Sequence, residues 1–183
     1  MKAQKVERAV TLDGDANQTK LEKIMTDRNY ATTFTVGQTP AEVFAAINNV
    51  RGWWSEEIAG RTDRLGETFN YHFKDVHRCK LQITQLVPGT KVAWRVLENY
   101  FSFTEDESEW SGTEISFAVS RSDGETQVNF THRGLVPEYE CFDVCSDGWS
   151  YYINGSLRDL ITTGRGRPNV GQARTDSERA LTL

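Results

Sequence analysis

No stretch of this chain approaches the roughly 20 consecutive apolar residues of a membrane span, so none is predicted. The opening residues, MKAQKVERAVTLDGDANQTKLEK, lack an apolar centre. That excludes a secretory signal and makes a cytoplasmic location the expectation. Cysteine is scarce: Cys79, Cys141 and Cys145 form an odd set without C-x-x-C spacing, which reads as free thiols in a reducing compartment. Positive charge is also short, with 21 Lys and Arg against 26 Asp and Glu for a net charge of −5. Residues 1–28 carry +1 and residues 164–183 carry +2, which leaves −8 on the middle of the chain. A domain so charged repels phosphate backbones, and nucleic acid is excluded as a partner.

The usual catalytic signatures are missing as well. There is no G-x-S-x-G for a nucleophile elbow and no Gly-rich phosphate loop; GRGRP at 164–168 reads as a helix exit. A metal site needs three or four converging ligands. His72 and His77 are five residues apart and alternate to opposite faces of a strand, and Cys141 and Cys145 have no second pair of soft ligands nearby. Neither a metal nor a cofactor is expected.

What is present is a clear alternation of periods. YATTFTV puts Tyr30, Thr32, Phe34 and Val36 on one face, as a strand would. In TPAEVFAAINN, Thr39 suits an N-cap, Pro40 the first helical position and Glu42 a capping box, with Val43, Phe44 and Ile47 as the buried stripe. RGWWS follows as a short turn or second helix. Strands are then predicted on Phe69, Tyr71 and Phe73; on His77, Cys79, Leu81 and Ile83; on Val92, Trp94 and Val96; on Ile115, Phe117 and Val119; and on Val128, Phe130 and His132. Asp123-Gly124 marks a hairpin, and FTEDESEW reads as an acidic loop or weak edge strand. From about residue 138 to 163, Phe142, Cys145, Trp149, Tyr152, Ile153, Leu157, Leu160 and Ile161 recur at spacings of three and four, which describes one long amphipathic helix. Gly148 and Gly155 interrupt it, either for close packing or for a bend. The expected division is a polar extension over 1–28, with Val6, Val10, Leu21, Ile24 and Met25 as a weak helical stripe, one domain over 29–168, and a tail over 169–183.

This order, with TPAEVFAAI, the WW at 53–54, GTEISFAVS…GETQVNFTHRGL and GWSYYINGSLRDLITTGRGRP, resembles the START and birch-pollen-allergen superfamily, abbreviated SRPBCC. Within it the chain is similar to homologues of the activator of the heat-shock-protein-90 ATPase. The resemblance covers roughly residues 29–168 and leaves both ends outside. It implies an α+β helix-grip fold, a curved antiparallel sheet of six or seven strands wrapped around the long helix. It also implies a cavity between sheet and helix that takes lipids, polyketides or other apolar molecules. The cysteine–histidine cluster of the superfamily's oxygenases is not in this sequence.

The expected cavity lining is Trp54, Phe69, Tyr71, Phe73, Trp94, Phe117, Phe130, His132, Trp149, Tyr152 and Ile153, with Tyr71, Tyr152 and His132 as its polar groups. The same aromatics can instead fill the space themselves. Of the two adjacent tryptophans, one is expected to cap the core and the other to line the cavity. Three functions remain open on the sequence. The leading one is non-catalytic binding of an apolar or aromatic small molecule. A cyclase- or hydrolase-like enzyme would use His132 or His77 as general acid or base. A protein-interaction module, with a chaperone as partner, rests on the resemblance. Homodimerisation is left open.

Overall fold

A computed structural model describes residues 28–182. The weak helical stripe expected near the N-terminus lies outside the described residues. Seven strands form one sheet in the order β1-β7-β6-β5-β4-β3-β2. They are β1 Tyr30–Val36, β2 Ala59–Gly60, β3 Thr68–Phe73, β4 His77–Val87, β5 Lys91–Phe101, β6 Glu114–Ser122 and β7 Glu125–Arg133, and every pairing is antiparallel. Two register shifts between β4 and β5, at Lys80/Leu81 and Ile83/Gln85, add the local twist that curves a sheet of this length. The hairpin expected at Asp123-Gly124 is formed, with both residues at positive φ (53° and 82°), as a type I′ turn demands.

Between β1 and β2 lie α1 Pro40–Asn48 and α2 Val50–Trp53. The capping box read from the sequence is made: Glu42 N–H donates to Thr39 Oγ1, and the Glu42 carboxylate accepts from the Thr39 backbone. The inward positions of the strands and helices form a single buried core.

The long helix runs from Phe142 to Thr163 without a break, but it is not one α-helix. It consists of α3 Phe142–Trp149, a π-helical segment Ser150–Leu157, and α4 Arg158–Thr163. In this segment Tyr152, Ile153, Ser156 and Leu157 are the buried residues. Sequence spacing does not distinguish the two helical forms, since residues four and five apart serve both.

The expected tail at 169–183 is corrected by the structure: residues 169–182 fold back onto the domain. Gly164 ends the long helix at φ 76°. Asn169 then pairs in parallel with Ser55, through Asn169 N–H to the Trp54 carbonyl (2.8 Å) and Glu56 N–H to the Asn169 carbonyl (2.9 Å). A last helix, α5 Asp176–Ala180, carries its own capping box between Thr175 and Glu178. Asn169, Thr175 and Glu178 are buried, and Ala173 and Leu181 pack against the core.

Candidate ligand cavity

RGWWS sits at the junction of three segments. Trp53 is fully buried and its indole N–H donates to the Ile47 carbonyl (3.1 Å). Its neighbour Trp54 stacks on Tyr71 with ring centroids 4.4 Å apart and lines a cavity between the sheet and the long helix. Of the two adjacent indoles, one lies in the core and the other in the cavity wall. They are nonetheless near-parallel, 6.1 Å apart, because Trp53 ends α2 and the chain turns at Trp54.

The cavity measures about 60 Å3. Of the residues expected in the lining, Trp54, Tyr71, Phe73, Trp149 and Tyr152 lie along it. Phe69, Trp94, Phe117, Phe130, His132 and Ile153 do not; they are buried and fill the layer behind it. The other lining residues are Val76, His77, Phe101, Phe103 and Trp110 from the sheet side, Val144, Cys145 and Gly148 from α3, and Glu178 and Leu181 from the C-terminal segment. Trp110 belongs to the acidic stretch read as a loop, where no periodicity reveals which side chain turns inward. Neighbouring Glu109 is buried too, and its carboxylate accepts from the backbone N–H groups of Glu140 (2.7 Å) and Cys141 (2.9 Å), just ahead of the long helix. The C-terminal pair escaped because the segment reads as polar.

His132 is fully buried and chemically committed. Its Nδ1 accepts from Trp149 Nε1 (3.0 Å). Its Nε2 faces Thr113 Oγ1 at 2.8 Å, and that hydroxyl already donates to the Trp110 carbonyl (2.6 Å). The ring is therefore the neutral tautomer with the proton on Nε2, and both nitrogens are used. Burial holds its pKa down at about 3. His77 is likewise lowered to about 3 by burial. Its Nε2 donates to Asn99 Oδ1 (3.0 Å), since the Asn99 amide donates to the Glu107 carbonyl. His72 is exposed and paired with Glu57.

The thiols behave as packing groups. All three cysteines are free and buried. Burial raises Cys79 and Cys145, which keeps them protonated and inert. Among the described residues, no three His, Cys, Asp or Glu side chains are placed to hold a metal ion.

The polar groups of the cavity include neutral donors and the Glu178 carboxylate. Trp110 Nε1 is buried without a nitrogen or oxygen acceptor, and the group it faces is the Cys145 thiol, a weak acceptor. The Tyr152 hydroxyl donates to Glu178 Oε1 (3.0 Å), and burial, then the Glu178 charge, pushes its pKa up. Tyr71 is also raised well above the usual tyrosine value by burial. Among the described residues, no lysine or arginine lines the cavity.

No family model matches the chain, and no curated protein matches it either. Solved structures do. The Aha1 dimer from Colwellia psychrerythraea is 25% identical with a TM-score of 0.61; the match covers 75% of this chain and 98% of that one. MLL2253 from Mesorhizobium loti is 10% identical with a TM-score of 0.59, over 73% of this chain and 96% of that one. DynU16, from the dynemicin biosynthetic locus, is 13% identical with a TM-score of 0.55, over 76% of this chain and 49% of that one. The latter two share the fold alone. Among the described residues no helix is long and apolar enough to cross a membrane. Strand order, the gripped helix and these neighbours together give the chain an Aha1-like helix-grip fold of the SRPBCC type.

Proposed function

We propose that the protein binds a neutral apolar or aromatic small molecule, lipid- or polyketide-like in character, between the sheet and the long helix, and performs no chemistry on it. The carrying observation is the Trp110 indole N–H, buried in an aromatic wall with no acceptor better than the Cys145 thiol. A buried donor left unsatisfied costs about 1–3 kcal/mol, and a ligand carbonyl or ether oxygen would serve it better than sulfur. The ligand is taken as neutral because no lysine or arginine among the described residues lines the site and a bare carboxylate there would be uncompensated. At about 60 Å3 the cavity is smaller than the ~300 Å3 or more of ordinary ligand sites, so binding requires part of the wall to yield.

The test is a fluorescence titration with N-phenyl-1-naphthylamine, a neutral apolar probe, on the natural protein and on Gly148→Leu. Gly148 lines the cavity and has open space where a Cβ would stand. Saturable binding that Gly148→Leu weakens at least tenfold is expected. Equal binding by both chains would put the probe elsewhere and overturn the assignment.

The general acid–base alternative loses His132, whose two nitrogens are both engaged, and rests on His77, which lines the cavity with its Nε2 on Asn99 Oδ1. A second reading, homodimerisation, is supported by the dimer formed by the Colwellia relative. Light scattering coupled to size exclusion decides it: about twice the 20.8 kDa chain mass supports the dimer, and the chain mass itself contradicts it. A chaperone partner has only the likeness to Aha1 behind it. On β4 and β5 the exposed or half-exposed side chains include Arg78, Lys80, Gln82 and Arg95, with two exposed large apolar residues, Val87 and Leu97, at separate places in the strands.

A further inference from the structure

We infer that the C-terminal segment 169–182 is the cavity's own occupant, a plug that the ligand displaces; this rests on the binding reading above. Two of the residues lining the cavity, Glu178 and Leu181, come from this segment and from no part of the sheet or the long helix. They place a hydrogen-bond acceptor and an aliphatic side chain where the ligand's polar and apolar parts would go. Glu178 is buried, and its carboxylate accepts from the Tyr152 hydroxyl (3.0 Å) and from the backbone N–H groups of Arg174 (2.5 Å) and Thr175 (3.2 Å). The last two donors belong to the segment itself. They leave with it, and they keep the carboxylate hydrogen-bonded when it swings out into water.

The attachment is slight. Among the described residues, three hydrogen bonds tie residues 170–182 to the rest of the protein: two reach only the adjoining hinge, from Gly171 N–H to Asn169 Oδ1 (2.7 Å) and from Arg174 Nε to the Pro168 carbonyl (3.0 Å), and one, from Tyr152 to Glu178, reaches the long helix. The hinge is firm by contrast, held at Asn169 by two backbone bonds to the Trp54–Glu56 stretch. A five-residue helix contributes little stability of its own, so α5 belongs to the least stable part of the structure. The fold does not need all of this chain: the Colwellia relative matches over 98% of its own length while a quarter of this chain stays outside the match.

Displacement would also set out the groups a ligand can use. Tyr152 would regain a free hydroxyl. Trp110, a second lining residue, has its indole N–H without a nitrogen or oxygen acceptor. Two neutral donors among aromatic walls select an apolar molecule bearing carbonyl, ester or ether oxygens. The small volume measured with the segment in place is the plugged state.

The experiment uses the full chain with Glu178→Ala and Leu181→Ala together, and Leu181→Ala alone in case the double variant folds poorly. N-phenyl-1-naphthylamine affinity is measured for each, alongside deuterium uptake of residues 170–182 with and without probe. The expected result is affinity at least tenfold tighter in the double variant and severalfold tighter in Leu181→Ala. In the natural chain the probe should raise uptake in 170–182 while 142–163 stays protected. Probe affinity equal across all three chains overturns the plug and leaves the binding reading standing. No binding by any of them overturns both.

Discussion

Gly52 and Gly166 explain why RGWWS and TTGRGRP occur in one chain. A Cβ on Gly166 would stand 2.1 Å from the Gly52 carbonyl oxygen, a backbone atom that cannot step aside. The close approach brings Arg167 N–H onto Ser156 Oγ (2.6 Å), and that hydroxyl donates to the Trp53 carbonyl (2.7 Å), so the helix exit is stitched to the tryptophan pair. Gly166→Ala should therefore destabilise the protein by about 2–3 kcal/mol in urea unfolding, the upper range for a single substitution. A loss under 0.5 kcal/mol would mean that the contact relaxes freely. The same scale holds a pH effect. Burial keeps His77 and His132 at about 3, against about 6.5 in an unfolded chain. Below about pH 6.5 the unfolded chain takes up protons the native one does not. Stability is thus fully present above that pH and falls on acidification, by up to about 1.4 kcal/mol per pH unit for each ring. His77→Phe, in a site walled by Phe101, Trp110 and Tyr71, should halve the slope contributed by the two rings between pH 6 and 5. An unchanged slope would show that His77 does not titrate as a buried neutral ring.

At the scale of elements, what could be read from the sequence was whatever had a period or a cap. The alternation in TFNYHF and HRCKLQI, the Thr39–Glu42 capping box and the Asp123-Gly124 turn each impose a backbone state on a few adjacent residues, and each is where it was expected. Glu109 and Trp110 have no such pattern, because their inward orientation depends on the long helix packed above them. The Thr175–Glu178 capping box was present as T-x-x-E but was followed by no apolar run that would mark it as a helix start. The π-helical middle of the long helix was also hidden, since its inward residues satisfy either helical period. Glu109 supplies a prediction at this level. Glu109→Ala strands the N–H groups of Glu140 and Cys141, and should cost about 1–3 kcal/mol and raise deuterium uptake first in the opening turn of α3. Uptake rising uniformly along the chain would contradict a local capping role.

For the whole molecule, the fold follows from one geometric need: a curved sheet with one apolar face and one long helix to cover it. The candidate site was legible in part. Five of the eleven expected residues, Trp54, Tyr71, Phe73, Trp149 and Tyr152, line the cavity, while the other six fill the core behind it. Alternation tells which face of a strand turns inward but not how far along the strand the helix stops touching it, and that distance separates wall from filling. The central claim is that this aromatic space between sheet and helix exists to hold a neutral apolar molecule. Native mass spectrometry of the protein as purified from cells, repeated after denaturation and organic extraction, tests it most directly. The account predicts an apolar adduct on the folded chain that is lost on unfolding and recovered in the organic phase. A clean chain mass in the native spectrum, persisting after incubation with excess lipid extract, would contradict it.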